Sequence, residues 1–481
     1  MQESGKKTES GERILKAGVW YTISTVFVKA ISVITMPIYT RLLSAHDYGI
    51  ASTFSSWYSL MLIVCSLDLE MSIGRAKQDY GIGLKKYVGS LQVLSGLFSM
   101  IFFAFCLVFL PQISVLTEMN YGLLVILAIY LLFSPAVSFA QANYRYEYRY
   151  KENIAIMIFI SVTTVLVSLV LINVIPTNKY YGKVIGSAIP TVVLGVYYWI
   201  SGLKSGRLSI NKSHWKYALT ISAPMIIHSL SLNALATSDR VVITKLVGAE
   251  ATGIYTLAYQ YALLINVVMS AVNQAWQPWF HDNYYVGNYE QIKKNANKLT
   301  MLGCFIGVGC VSLAPEMISL LGPEEYKSGV WAVPPIVLGV VCQFLYTHYI
   351  NIELHLKKTK YASYGTVFAA VINVGLNIIF VEKYGFVAAA YTTLFSYIVL
   401  LIAHFCITRF LLKVNLYNNR FFVISLIGVA LLSCVFMALF DYFIIRFILM
   451  CLVGVAFLFY NREMVKTFVN KDRAIKGKEA D

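Results

Sequence analysis

Apolar stretches long enough to cross a lipid bilayer recur along the whole chain, and they restrict its fold more than any other feature. A bilayer core is about 30 Å thick and a helix rises about 1.5 Å per residue, so about 20 apolar residues span it. We therefore expect an all-α integral membrane protein of about fourteen helices. They are predicted near residues 14–43, 47–74, 86–110, 119–144, 152–175, 181–202, 215–246, 251–280, 290–314, 326–351, 360–381, 384–411, 419–440 and 442–461.

Composition supports lipid as the main solvent of this chain. Of its 481 residues, 58% are hydrophobic and only 13% are charged, about half the charge usual in soluble proteins. The net charge of +15 comes from basic residues in short loops between the apolar stretches. That distribution favours loops facing anionic lipid and argues against nucleic-acid binding.

The basic residues also predict the orientation. If the N-terminus is cytoplasmic, thirty of the 39 Lys and Arg fall in inside segments and seven in outside loops, leaving Lys29 and Arg240 within helices. A wrong helix count would disturb this alternation. We expect cytoplasmic tails at 1–13 and 462–481. The first tail contains no small-residue cleavage site, so the first helix is expected to remain in the mature protein.

An internal repeat predicts two halves. Thr40–Ile50 and Thr244–Ile254 share Thr, Leu, Ala, Gly and Ile at a spacing of 204 residues. Six helices separate the copies, so both enter the membrane in the same direction. Parallel six-helix halves at 14–202 and 215–411, around a central cavity, are typical of transporters. Residues 203–214 would be the cytoplasmic linker and 412–461 the additional helices 13 and 14. The alternative is a chance match of short turns.

Helices 1 and 7 carry polar residues that are costly in a membrane. Lys29 lies near the middle of helix 1, on one face with Thr25. A cavity-facing Lys29 is favoured over a lysine that only fixes packing. Asn233 and Arg240 share a polar stripe on helix 7, and Asn233 follows Lys29 by 204 residues. Asp239 and Arg240 point about 100° apart, so one could face the cavity while the other pairs with another helix.

Helix 8 has the longest polar stripe. In lipid this face would leave amides without partners, so it must meet protein or water. Bonds between helices could satisfy one or two of these residues; a stripe along the whole helix favours a hydrated cavity. Its candidate substrate-binding residues are Tyr255, Tyr259, Asn266, Asn273 and Gln277.

Other charged and titratable residues have weaker interpretations. Asp68 and Glu70, in the inner half of helix 2, are candidates for gating or ion pairing, or form a solvated cluster. Three histidines are predicted within helices and either titrate or serve packing: His228, His348 and His404. Four prolines predict kinks in helices 7, 8 and 10: Pro224, Pro278, Pro334 and Pro335.

No catalytic or metal-binding pattern is present. The sequence contains no phosphate-binding glycine loop with Lys and Ser or Thr, no HExxH and no Cys/His metal spacing. Its eight cysteines lie in apolar stretches without a CxxC pair, as small buried hydrophobic residues do. We expect neither enzymatic activity nor a cofactor.

The residues of the two repeat turns resemble motifs of a known protein family. Pro37–Leu43 and Asp47-Tyr48-Gly49, together with Ser238-Asp239-Arg240 and Gly253–Tyr255, resemble the polysaccharide exporters of the superfamily that includes multidrug exporters. Trp276-Gln277-Pro278, before a Lys-rich loop, is similar as well. The resemblance covers the whole chain and is strongest to flippases for O-antigen and capsule repeat units.

This resemblance implies a cargo and a location. Such flippases move undecaprenyl-pyrophosphate-linked oligosaccharides across the bacterial cytoplasmic membrane for surface polysaccharide synthesis. Lys29 and Arg240 would then meet the diphosphate, and the polar face of helix 8 the sugar. The lipid tail would stay among membrane lipids while the halves rock. An H+ or Na+ gradient could drive transport, and a polymerase or glycosyltransferase complex could be a partner.

Three alternatives stay open. A lipid II flippase would also need a cationic cavity. A multidrug exporter usually has twelve helices and an acidic pocket, which Lys29 and the additional helix pair argue against. The chain could also be a scaffold of a polysaccharide synthase complex that transports nothing itself.

Overall fold

The protein is all-helical where its computed structural model describes it, over residues 2–356 and 358–460. Long helices form at each of the fourteen predicted places. We label them α1 Gln2–Leu42, α2 Ala45–Ser66, α3 Leu84–Val108, α4 Tyr121–Tyr146, α5 Tyr150–Val174, α6 Tyr180–Lys204, α7 Lys212–Leu246, α8a Ala249–Ala262, α8b Leu264–Val286, α9 Tyr289–Ser312, α10 Val333–His355, α11 Thr359–Tyr384, α12 Phe386–Cys406, α13 Asn419–Ala438 and α14 Phe443–Tyr460. The predicted C-terminal tail, 462–481, lies outside the described residues.

The described helices are long and apolar enough for a membrane protein. Twelve of them could cross a bilayer, and a thirteenth if α9 and the helix Ala314–Leu321, bent by 61°, form one span. Phe443–Phe459 is a shorter apolar helix. Many large apolar side chains face outward, including Phe443 and Ile444 on α14. Lipid is a suitable solvent for such surfaces and water is not.

Several helices end or break where local chemistry requires it. α10 begins at Val333 after the 3₁₀ segment Glu324–Ala332, with proline in its first turn, where a missing N–H costs nothing. The predicted helix 8 is divided at Leu263, whereas Pro278 lies inside α8b.

Helix 2 is shorter than predicted. α2 ends at Ser66, and Leu67 and Asp68 both adopt left-handed backbone conformations with φ of 52° and 49°. The Ser66 hydroxyl accepts a hydrogen bond from the Asp68 N–H at 3.2 Å, a local bond that competes with the helix. Asp68 and Glu70 therefore lie beyond the end of α2. The prediction that they lie in the inner half of helix 2 is wrong.

The chain forms two compact units. The first contains the chain up to Leu257 with Ser319–Gly329 and Ser363–Ser396; the second contains Ala258–Ile318, Val330–Ala362 and the chain from Tyr397. Within the first unit, the repeat turns pack against each other reciprocally. A Cβ on Gly49 would lie 1.7 Å from the Ala249 carbonyl oxygen, and a Cβ on Gly253 would lie 2.0 Å from that of Ala45. Each repeat turn thus supplies the carbonyl oxygen that the glycine of the other turn approaches.

The second unit has an aromatic core, and α14 is joined to it. The core includes Trp276, Phe280 and Tyr349. The Arg446 guanidinium of α14, 2% exposed, forms an ion pair with Glu316 and also donates to the Phe440 carbonyl at 2.7 Å. A buried arginine with both kinds of partner makes the last helix an integral part of this unit.

Candidate functional site

A buried carboxylate organises the first unit. Asp239 on α7 is fully buried and accepts hydrogen bonds from three other helices. The donors are the Tyr255 hydroxyl of α8a at 2.5 Å, the Asn377 amide of α11 at 2.6 Å and the Thr393 hydroxyl of α12 at 2.8 Å. Buried charges require such partners. Of the two arrangements considered for Asp239 and Arg240, the structure has Asp239 paired with other helices.

A second layer orients the donors to Asp239. Thr392 donates to the Asn377 side-chain oxygen, and the Asn373 amide donates to Thr393 at 3.2 Å. Ser238, beside Asp239 on α7, donates to the Asn373 side-chain oxygen at 3.1 Å. The result is a network of oxygen-rich side chains around one negative charge. All three donors to Asp239 direct an N–H or O–H group at its carboxylate, as a buried anion requires.

Arg240 is the cation next to this network. Its guanidinium is 6% exposed and donates to the Ala236 carbonyl at 3.1 Å. In a medium of low dielectric, the positive charge of Arg240 stabilises the neighbouring carboxylate of Asp239.

Three other predicted residues of the first unit differ in their surroundings. Asn233 accepts from the Ser59 hydroxyl of α2 at 3.0 Å and from Thr237 at 3.1 Å, so helix packing already occupies its oxygen. Lys29 is half-buried on α1. Among the described residues, no hydrogen bond or ion pair reaches its ammonium group. Thr25, also half-buried, lies four residues earlier on this helix.

The tyrosines of the first repeat motif surround a lysine. Lys183 lies in the first turn of α6, with its Nζ 3.7 Å from the ring centroid of Tyr48 and 5.0 Å from that of Tyr39. These are cation–π distances. The family motif around the first repeat turn therefore provides the aromatic cage of a lysine.

Some polar side chains of helix 8 form hydrogen bonds with α10 in the second unit. The Asn266 amide donates to Gln343 on α10 at 3.3 Å, and the Asn351 amide of α10 donates to Asn273 at 3.4 Å. Bonds between helices, the alternative interpretation, thus account for two of the amides. Tyr259 is buried and Gln277 is half-buried on the same face.

Asp68 and Glu70 form an acidic pair at the break after α2. Asp68 accepts from the Ser229 hydroxyl of α7 at 2.6 Å, and burial is the main cause that raises its pKa. Glu70 has one carboxylate oxygen buried without a hydrogen-bond partner among the described residues. Burial raises the pKa of Glu70 to about 7, so this carboxyl titrates near neutral pH.

The raised pKa of Glu70 predicts a pH dependence of stability. Between its ordinary pKa of 4.5 and the folded value of about 7, the folded chain holds a proton that the unfolded chain releases. The Glu70 contribution to stability is therefore complete below about pH 4.5 and lost as the pH rises to about 7, by at most about 3 kcal/mol. Melting temperatures of Glu70→Gln, measured from pH 4 to pH 9, should fall less with pH than those of wild type. Equal slopes for the two proteins would contradict this expectation.

Sequence reasoning missed the partners of Asp239. Asn373 and Asn377 lie four residues apart in an apolar helix, so they share one face, and that spacing could have indicated a buried polar site. Thr392 and Thr393 give no such signal, because single threonines are common in membrane helices. The predicted residues lie in different units: Thr25, Lys29, Asn233, Asp239, Arg240 and Tyr255 in the first; Tyr259, Asn266, Asn273 and Gln277 in the second.

Comparisons of the sequence with known proteins identify two matching family models and a curated relative. Residues 14–283 match the family model described as "Polysaccharide biosynthesis protein", and residues 224–379 match the model described as MatE. A curated relative, "Lsg locus putative protein 1" of Haemophilus influenzae, is 20% identical over 276 residues. That alignment covers 56% of this chain and 66% of the relative, slightly less than two thirds of its length.

Solved structures share the fold. The "Lipid II flippase MurJ, inward closed conformation" is similar with a TM-score of 0.73 and 15% identity, covering 93% of this chain and all of that one. An inward-facing multidrug resistance MATE family transporter of the MOP superfamily is similar with a TM-score of 0.64 and 15% identity. This similarity extends over 82% of the present chain and 98% of the MATE transporter. With more than half of the sequence matched by one family model, the chain belongs to the polysaccharide biosynthesis protein family.

Proposed function

We propose that this protein is a flippase that moves undecaprenyl-pyrophosphate-linked oligosaccharide repeat units from the cytoplasmic to the outer leaflet of a bacterial inner membrane, with both termini cytoplasmic. The family match over residues 14–283 carries the proposal, because that region includes Lys29 and Arg240. Cations inside membrane helices are costly and are retained for a pathway or a partner. The diphosphate of such a cargo is the anion that they would bind.

Lys29 is the stronger diphosphate candidate. Its ammonium group has no partner among the described residues, whereas Arg240 lies beside Asp239 and already donates to a carbonyl. A lysine binds phosphate oxygens with three rotatable donors. Thr25 would add a hydroxyl beside it. Tyr255 is occupied by Asp239 in this conformation and would bind sugar only in another.

We assign the coupling ion, H+ or Na+, to Asp239 in this proposal. Its carboxylate is buried and accepts hydrogen bonds from the Tyr255 hydroxyl, the Asn377 amide N–H and the Thr393 hydroxyl, which lie on three helices. Exchange of a proton or Na+ there would rearrange α7, α8a, α11 and α12 together. The acidic pair Asp68 and Glu70 contributes gating contacts with α7.

Replacing Lys29 tests the proposal in cells. A host deleted for the gene should lose surface polysaccharide and accumulate undecaprenyl-linked units on the cytoplasmic side. Wild type should restore the surface glycan, while Lys29→Ala should restore less than a tenth of it because the diphosphate loses its cation. Lys204→Ala, at an exposed lysine, is the matched control. Normal surface glycan in the deletion strain, with no trapped intermediate, would contradict the flippase.

Two related functions have specific support. The fold similarity to the lipid II flippase extends over 93% of the chain, and the MatE match at 224–379 favours drug export. Lipid II in place of the oligosaccharide intermediate would accumulate in the first case, and drug sensitivity would rise in the second. A scaffold of a polymerase or glycosyltransferase complex would tolerate Lys29→Ala and fail when cytoplasmic loops change.

A further inference from the structure

A segment between α9 and α10 belongs to a different unit from the helices on either side of it. Ser319–Gly329 packs in the first unit, whereas Ala258–Ile318 and Val330–Ala362 belong to the second. We call Ser319–Gly329 the strap. Because the chain changes units at both ends of the strap, a rearrangement of the two units must either release the strap or carry it along.

The first repeat turn holds the end of the helix Ala314–Leu321, where the strap begins. The Arg41 guanidinium donates to the Leu320 carbonyl at 2.9 Å. The shortest hydrogen bond of the Thr40 hydroxyl, at 2.5 Å, is to the Leu321 carbonyl. The last carbonyls of a helix lack partners within it, and a cation is favourable at this end. Thr40 and Arg41 therefore cap this helix.

The strap caps a helix of the first repeat turn in return. The Ala45 N–H, the first of α2, donates to the Glu325 carboxylate at 3.0 Å. The first N–H groups of a helix also lack partners within it, and a negative charge is favourable beside them. Arg41 and Glu325 are both exposed, so bonds to solvent can replace these contacts when the strap leaves.

One buried group of the strap opposes this arrangement. The Tyr326 side chain is fully buried, and its ring packs edge-on against Tyr48 with the centroids 6.3 Å apart. Its hydroxyl has no hydrogen-bond partner among the described residues. A buried hydroxyl of this kind lacks the bond that water would give it after release. Three hydrogen bonds thus hold the strap against a group that favours its release.

The repeat provides an internal comparison for the strap. The helix Leu110–Thr117 precedes Ala314–Leu321 by 204 residues, but three residues separate it from α4, whereas eleven separate Ala314–Leu321 from α10. Thr244, the counterpart of Thr40, shares a hydrogen bond with Thr53 of α2 at 2.5 Å. The longer connection is an addition to the framework common to both halves. Connections longer than a fold requires are often functional.

We propose that the strap is a conformational latch, which Thr40, Arg41 and Glu325 hold closed in this structure and which must be released before the two units can rearrange. Release exchanges the three hydrogen bonds for bonds to solvent and exposes the Tyr326 hydroxyl. The use of the latch in transport rests on the proposed flippase function; the opening and closing of the strap do not.

Spin labels on the purified full-length protein in lipid vesicles, without substrate, test the latch directly. In a background without the eight native cysteines, labels at His46→Cys and Ser328→Cys, both exposed positions, report the separation of the strap from the first repeat turn. We expect one dominant, narrow distance distribution in this background. Arg41→Ala should raise the population of a second, longer distance at least about fivefold. Lys245→Ala, at the exposed repeat counterpart of Arg41, is the matched control and should leave the distribution unchanged.

A variant with the opposite effect distinguishes a latch from a contact that only stabilises the fold. Tyr326→Phe keeps the packing of the ring and removes the hydroxyl that lacks a partner, so the longer distance should become rarer than in the background. A contact that only stabilised the fold would behave differently: Arg41→Ala would lower the melting temperature without populating a longer distance.

Two results would overturn the proposal. One is a folded Arg41→Ala protein with the distance distribution of the background. The other needs no substitution: hydrogen exchange of the wild type in which the amides of the strap are as protected as those of α4, because such a strap does not open. Substrate flipping in the same vesicles separates the two proposals. A strap that opens in a protein that does not flip substrate refutes the flippase and leaves the latch standing, whereas flipping with a strap that stays closed refutes the latch alone.

Discussion

Gly49→Ala and Gly253→Ala are each expected to prevent accumulation of folded protein in the membrane. A Cβ at either position would lie within 2.0 Å of a backbone carbonyl oxygen, far inside the contact distance of two atoms. Each of these carbonyl oxygens belongs to the backbone, so no side-chain rotation relieves the overlap. The helices α2 and α8a must separate, at a cost of at least about 2 kcal/mol.

Size-exclusion chromatography and the melting temperature in detergent measure this effect. Gly375→Ala and Gly428→Ala are matched controls, because an added Cβ meets nothing within 4 Å at these two helical positions. Both should fold as wild type does or slightly better, since alanine favours helices. Normal yield and melting of Gly49→Ala would mean that α2 and α8a do not approach each other so closely.

Asp239→Asn is expected to reduce ion-driven flipping at least tenfold while the protein still folds. Asparagine keeps the size of the side chain and an oxygen for the Tyr255 hydroxyl. It removes the charge, so the site can no longer exchange H+ or Na+. Its amide also meets the Asn377 amide, donor against donor, until one of them rotates.

Vesicles with an imposed H+ or Na+ gradient provide the measurement. Wild type should flip lipid-linked substrate in response to one of the two gradients, and Asp239→Asn to neither. Asp441→Asn, at an exposed carboxylate, should respond as wild type does. If folded Asp239→Asn retained the full gradient response, the coupling ion would have to bind elsewhere.

Helix number was predictable because it depends on local properties. Length and apolar composition indicate a membrane helix without knowledge of its neighbours, so the fourteen predicted places all contain helices. The breaks were less predictable. Ser66 and Asp68 end α2 through a bond between their own atoms, in a stretch that composition alone extends to residue 74.

The polar sites depend on partners far apart in the chain. Asp239 and Arg240 were recognised as a pair whose roles differ, but Asn377 and Thr393 follow Asp239 by more than a hundred residues. Helical periodicity predicts which face a residue occupies and not which helix lies opposite. For the same reason, periodicity places Asn266 on the polar face of helix 8 and does not indicate that its amide donates to Gln343.

Arg446 has a consequence for protein engineering. A twelve-helix version of this chain cannot be obtained by truncation after α12, because the cut would remove the partner of Glu316 and leave a carboxylate at the apolar surface. It would also uncover Phe305 of α9, which stacks on Phe457 of α14 at 4.3 Å. Shortening this protein to the length of a smaller exporter would require redesign of the newly exposed face of α9 as a lipid-facing surface.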